Sequence, residues 1–237
     1  MKILSLLFIT VNLLLATINL KMQNTPIFDV TETTAKINIA NLTIGQSGAI
    51  IKNIDENSVI LAQATVIESN TNNSTIEFSS RPLLEQEALP TSKLIPEDNN
   101  IFILNHLYNT SLLIVPNKKA KQSVQKLFPF QNFLDEDFFA SYLKLNNIPV
   151  PMRDDISKFA LKQQMGTIFV VVQNNLFIVD SISFKVLDTV LIDNDDKSTN
   201  LPFLTRIEDI EISMFDFGEE KIEDYNLHYL RLLEIIK

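Results

Sequence analysis

Between residues 35 and 116 apolar and polar positions alternate with a period close to two. Residues 35–40, 49–52, 59–69 and 75–78 are short runs rich in β-branched side chains, which suit strands with one buried face. Asp55, Glu56 and Asn57, and then Asn70 through Asn73, supply turn chemistry between them. The expected product is a small twisted sheet or partial barrel, with Gly45 and Gly48 allowing tight turns where it begins. Residues 101–107 and 111–115, joined near Asn109, read as a further hairpin.

After Pro116 the period lengthens. Asn117 can cap a helix that places Ala120, Val124 and Leu127 on one face and turns Lys118, Lys119, Lys121 and Lys126 to solvent. Asp135, Glu136 and Asp137 favour a second helix start through the helix dipole, with Phe138, Phe139, Tyr142 and Leu143 as the buried stripe. A third helix follows Pro151, burying Ile156, Phe159 and Ala160 and stopping at Gly166. Residues 167–172 and 176–180 then form strands about an Asn174-Asn175 turn, and residues 184–192 add another. The predicted class is α+β: a β-rich region, 35–116, packed on a mixed α/β region, 117–192, with helices layered over a sheet.

The acidic segment 193–237 closes with Ile222, Tyr225, Tyr229, Leu232 and Ile236, which step by three and four and predict an amphipathic helix. Such a stripe docks onto the chain's own core or forms a seam with a partner helix. At the other end, Lys2 precedes an apolar run over residues 3–18, interrupted only by Ser5, Thr10, Asn12 and Thr17. This suits residues 1–18 as a secretory signal cleaved near Ala16, with an uncleaved anchor as the alternative. The mature chain is then expected to begin within residues 17–22 and to be soluble, with no stable membrane span. Residues 19–34, polar, Thr-rich and holding Pro26, read as a flexible lead.

Composition narrows the chemistry. The chain has no Cys, so an exported fold must rest on its hydrophobic core, and thiolate nucleophiles, sulfur-ligated metals and a lipid-anchored Cys are excluded. Only four glycines make phosphate-cradling loops unexpected. The formal net charge is −9, and residues 188–237 hold 13 acidic against 5 basic groups, a poor basis for binding nucleic acid.

Each candidate site competes with a simpler reading. Gly45-Gln46-Ser47-Gly48-Ala49 approaches a hydrolase nucleophile elbow, but Ala49 replaces the last Gly and a strand, not a helix, should follow. Only His106 and His228 could act as a base or anchor zinc, and they stand far apart without a partnered ligand motif. Glu85 and Glu87 would need environments that separate their pKa values to work as acid and base; a structural corner is the alternative. Asp193, Asn194, Asp195 and Asp196 could attract a cation, yet Lys197 occupies the third calcium-ligand position and a solvated turn suffices. The group of Lys118, Lys119, Lys121 and Lys126 could meet an acidic surface, or form an ordinary solvated helix face. No catalytic residue, cofactor or metal is assigned, and the chain is read as non-enzymatic.

Several ordered patches carry a resemblance. Ile44 to Ala49, Leu83 to Pro90, Tyr108 to Pro116, Asp137 to Leu143 and Val179 to Leu187 resemble, in order and spacing, the N-terminal domain family of bacterial plasminogen-binding proteins over roughly residues 44–192. The resemblance implies an exported cell-envelope protein, in the periplasm or at the cell surface, that recruits host plasminogen. Named members are credited with capture through C-terminal lysines. This chain lacks a lysine-rich tail, so the expectation rests on Lys237, whose ammonium and terminal carboxylate together match what kringle pockets hold. The alternative is a structural or interaction module of the envelope with another partner. Oligomeric state is left open.

Overall fold

The computed structural model describes residues 18–79, 94–195, 197–207 and 221–237. The signal-like segment before Ile18 and the Glu85/Glu87 pair lie outside the described residues.

Strands β1 (Gln23–Phe28), β2 (Thr34–Ile37), β3 (Ser47–Ile54), β4 (Asn57–Ser69), β5 (Ser74–Ser79) and β6 (Ile101–Leu104) close into a barrel in the order β1-β2-β5-β4-β3-β6. Every pairing is antiparallel, and closure through β6 and β1 leaves no free edge. The alternation visible in the sequence fills the interior: Ile27, Ile37, Ile50, Val66, Ile76, Phe102 and Leu104 are all fully buried.

One correction concerns residues 19–34. They contain β1 and part of β2, because Thr25 and Ile27 point inward while Asn24 and Pro26 point out. Pro26 is tolerated as a residue that faces solvent beside Ile101. Its Thr-rich neighbourhood hides a period-two strand behind polar composition.

The second layer is a mixed sheet in the order β11-β10-β9-β7-β8, built from β7 (Thr110–Ile114), β8 (Asn132–Leu134), β9 (Thr167–Val172), β10 (Asn175–Asp180) and β11 (Val186–Leu191). Strand β7 runs parallel to both β8 and β9. The expected β6–β7 hairpin is therefore absent: the two strands belong to different sheets, and the change of layer falls in residues 105–109 rather than at Pro116. Two residues, Gln173 and Asn174, connect β9 to β10, with Gln173 taking φ 56°. The turn lies one residue earlier than its asparagines suggest.

Helices cover both faces of this sheet. On one, Leu112, Ile114, Ile168, Val170 and Val172 meet α2 (Glu136–Leu145), α3 (Arg153–Lys162) and α4 (Tyr225–Leu232). On the other, Leu113, Val115, Phe169 and Val171 meet α1 (Lys118–Leu127) together with Ile18 and Leu20. Phe139 anchors the first face, its ring 4.9 Å from Phe159 and 5.3 Å from Phe203. Phe138, expected in the buried stripe, is exposed because the adjacent position on a helix points about 100° away from Phe139. In α4 Tyr225, Tyr229 and Leu232 dock on the core as the spacing predicts, while Ile236 lies past the helix end and is exposed.

Helix α1 starts at Asn117, whose Oδ1 accepts from Ala120 N–H at 2.9 Å and whose Nδ2 donates to Ser198 O at 2.9 Å. Replacing Asn117 by Ala is expected to lower stability by about 1–2 kcal/mol, measured by urea unfolding, since it removes an N-cap and a tertiary tie together. Helix α3 ends at Lys162, and Gln164, not Gly166, takes the positive φ after it. Gly166 serves a close approach instead: a Cβ there would sit 2.5 Å from the Leu107 carbonyl carbon.

Candidate functional site

Barrel and sheet are joined by a buried polar cluster that three of the sequence patches build between them. Asp180, at the end of β10, is fully buried. Its Oδ2 accepts from the Ser47 hydroxyl at the start of β3 and from the Tyr108 hydroxyl at 2.6 Å. Its Oδ1 accepts from the backbone N–H of Ile182 at 2.9 Å and of Ser183 at 2.6 Å, closing the turn into β11. Tyr108 Oη in turn accepts from Ser47 N–H at 3.0 Å. Around this centre Ser183 Oγ donates to Gly45 O at 2.8 Å, and Gln46 Nε2 donates to Asn105 Oδ1 at 3.2 Å. Asn105 Nδ2 reaches the carbonyls of Asn19 and Lys21 at 2.9 and 3.0 Å, tying the N-terminal segment to the same junction.

This arrangement decides the role of Ser47. Its hydroxyl donates to a carboxylate inside the protein, it is 2 % exposed, and a strand follows it. The chemistry is that of a junction, in which buried donors and acceptors satisfy one another. Gly45 does take a left-handed φ of 98°, as a turn requires, whereas Gly48 lies inside β3.

Burial raises the Asp180 carboxyl from its ordinary value of 3.8, and the hydrogen bonds from Ser47, Tyr108, Ser183 and Ile182 pull against that. Tyr108 is pushed well up by burial and by the neighbouring Asp180 charge. With its folded value raised, Asp180 keeps its proton in the native state at pH values where the unfolded chain has lost it. Its contribution is therefore most favourable below the ordinary value and declines as pH rises through the folded one. The difference in unfolding free energy between the wild type and Asp180→Asn should therefore fall as pH rises across that range.

The remaining candidates are dispersed. His106 follows β6 and His228 lies on α4, where Nε2 meets Pro151 O at 3.2 Å; burial lowers the pKa of both. Lys119 pairs with Asp193 at 3.0 Å and approaches Asp195 at 3.7 Å, so the acidic turn already has an ammonium as its counter-ion. Among the described residues no group of three or more His, Asp or Glu is placed to hold a metal ion. Lys121 is paired with Glu136 at 2.6 Å, while Lys118 and Lys126 are exposed. Lys237 is exposed beyond α4, as are Ile235 and Ile236.

In the sequence Tyr108, Asp180 and Ser183 fall within family-like patches, and Asp180 also ends the predicted strand 176–180, but no motif assigns them a role. The available signal was Asp180 itself, a carboxylate ending the apolar run from Leu176 to Val179, where an ionisable group needs internal partners.

The architecture defines an α+β domain, a closed barrel locked onto a helix-covered mixed sheet. The chain belongs to the family described as plasminogen-binding protein pgbA N-terminal, which matches residues 22–233. That span takes in β1 and α4 and so exceeds the resemblance over residues 44–192. No curated protein and no solved structure matches the chain.

Proposed function

We propose that the protein is an exported binding protein of the cell envelope that recruits host plasminogen through Lys237. Family membership across residues 22–233 is the observation that carries this reading. Lys237 lies just beyond the matched span and is exposed, and the exposure of Ile235 and Ile236 leaves a kringle room to approach. Kringle pockets grip a lysine side chain with carboxylates and aromatic walls, contacts that require an ammonium free of core packing. The acidic surroundings of the tail oppose tight binding without blocking access. The test compares plasminogen binding by the wild type and by Lys237→Ala, with and without a free lysine analogue. Binding that the analogue displaces and the substitution weakens about tenfold supports the reading, since a charge-assisted contact is worth about 1.5–3 kcal/mol. Equal binding by both proteins, insensitive to the analogue, overturns it.

Export rests on Lys2 and the apolar run that follows it. Ile18 N–H donates to Asp188 Oδ2 at 2.8 Å, and Ile18 and Leu20 pack beside α1, so cleavage after Ala16 would preserve every one of these contacts. Intact-mass measurement of protein from the envelope fraction is expected to give a chain beginning at Thr17. Retention of Met1 would favour the anchor.

A second reading, a non-enzymatic interaction module with another envelope partner, draws on one specific observation. Three of the family-like patches converge on the buried junction at Asp180 rather than on an accessible surface.

A further inference from the structure

The parallel strands β7 and β9 open at their carboxyl ends onto a polar pocket of about 590 Å³. That edge of a parallel pair is where open α/β sheets take small ligands, and the volume lies in the range of such sites. Pro116, just after β7, and Gln173, just after β9, border it. The other walls carry Asn174 of the β9–β10 turn, Asn194, Asp195, Lys197 and Thr199 after β11, and Asn226 in the first turn of α4. Hydrogen bonds pin these walls to one another. Asn200 donates to Pro116 O through its backbone N–H at 2.9 Å and through Nδ2 at 2.8 Å, and Asn117 Nδ2 holds Ser198 O at 2.9 Å. Gln173 N–H donates to Asn226 Oδ1 at 3.2 Å, and Ile192 N–H to Asn174 O at 2.9 Å for the closing strand end. The pocket is thus preformed.

Asn194 sets the kind of ligand. It is 7 % exposed, and its Nδ2 donates to Gln173 O at 2.9 Å, which fixes the orientation of the amide and leaves Oδ1 as its free end. That oxygen is buried and meets no donor among the described residues. A buried acceptor calls for a donor, and the pocket that Asn194 lines is the place for one. An ammonium fits poorly, because the lining carboxylate, Asp195, already has Lys119 Nζ at 3.7 Å. An anion fits poorly too, because Lys197, the cation in the lining, stands beside that carboxylate. The amides of Asn174 and Asn226 and the hydroxyl of Thr199 are groups that both donate and accept. Their complement is an uncharged ligand with a run of hydroxyls. We propose that this pocket binds a neutral sugar, one hydroxyl donating to Asn194 Oδ1 and its neighbours meeting Asn174, Thr199 and Asn226.

No aromatic ring lines the pocket among the described residues, so hydrogen bonds carry the binding and a Kd on the order of 1 mM is expected. The site is separate from Lys237, since Asn226 lies in the first turn of α4 and Lys237 beyond its last.

The test titrates the isotopically labelled protein with glucose, galactose and N-acetylglucosamine, each free and as its methyl glycoside, and follows backbone amide resonances. Phosphate and ethylammonium serve as charged comparisons. The expected result is saturable shifts centred on Gln173, Asn174, Asn194 and Asn226 with at least one sugar and with neither ion. Thr199 is exposed, so Thr199→Val should keep the rest of the spectrum and weaken binding about fivefold, the scale of one hydrogen bond. Asn194→Ala should weaken it by more than about tenfold, and Thr199→Val stands in for it if loss of the tie to Gln173 O disturbs the fold. A methyl glycoside that binds as well as its free sugar assigns the source to the end of a glycan chain, and binding of the free sugar alone assigns it to a soluble sugar; both support the site. No saturable shift with any sugar, an ion that moves the same amides as strongly as the sugars, or undiminished sugar binding by either folded variant would overturn the proposal.

Discussion

Asp180→Ala is expected to lower the unfolding free energy at neutral pH by about 2–4 kcal/mol, because it strands several buried donors at once. The substitution leaves the hydroxyls of Ser47 and Tyr108 and the N–H groups of Ile182 and Ser183 without their acceptor. Each unmatched buried donor costs about 1–3 kcal/mol, partly offset because no carboxylate then has to be kept out of water. Asp180→Asn keeps an acceptor for the turn into β11 and should lose less. Urea denaturation of the three proteins checks the order. A loss below about 1 kcal/mol in Asp180→Ala would mean that apolar packing, not this junction, holds barrel to sheet.

Gly48→Ala is expected to cost about 3 kcal/mol, although it adds a single methyl to a β-strand. Gly48 sits in β3 between Ala64 of β4 and Leu104 of β6. A Cβ at this position would lie 2.3 Å from the Ile103 carbonyl oxygen and 2.7 Å from the Phe102 ring. The ring could turn only by disturbing the fully buried centre of the barrel, and the carbonyl belongs to the strand paired with β3. Overpacking of this kind typically costs about 1–3 kcal/mol, and a backbone neighbour puts it at the upper end. Thermal or urea unfolding measures it, with Ser58→Ala on the exposed part of β4 expected to stay within about 0.5 kcal/mol of wild type.

The strands of the barrel were legible wherever one face is apolar and the other polar, as along β4 and β5. Local pattern failed where partners are distant in sequence. Residues 23–28 open with three polar residues and a Pro, and what makes them a strand is pairing with Ile101 to Leu104, far along the chain. The separation of β6 from β7 was equally hidden, because two short apolar runs around a turn look alike whether they pair with each other or with different sheets. Helices α1 to α3 were visible through Asn117, Asp135 and their apolar spacing, which are local properties. Ser47 invited a catalytic reading because its neighbours are glycine and glutamine, and only the fold brings Tyr108 and Asp180 to it. Lys237 stood out as the last cation of the sequence, but the apolar stripe ran on to Ile236, and only the structure ends α4 at Leu232 and leaves Ile235, Ile236 and Lys237 exposed.

The reading of this domain as a lysine-dependent plasminogen binder is tested most directly by titrating an isolated kringle domain into isotopically labelled protein and following backbone amide resonances. The account predicts saturable shifts confined to the residues after α4, reversed by a free lysine analogue and absent in Lys237→Ala. Shifts centred elsewhere, such as the exposed lysines of α1, or an unchanged spectrum at saturating kringle, would contradict it.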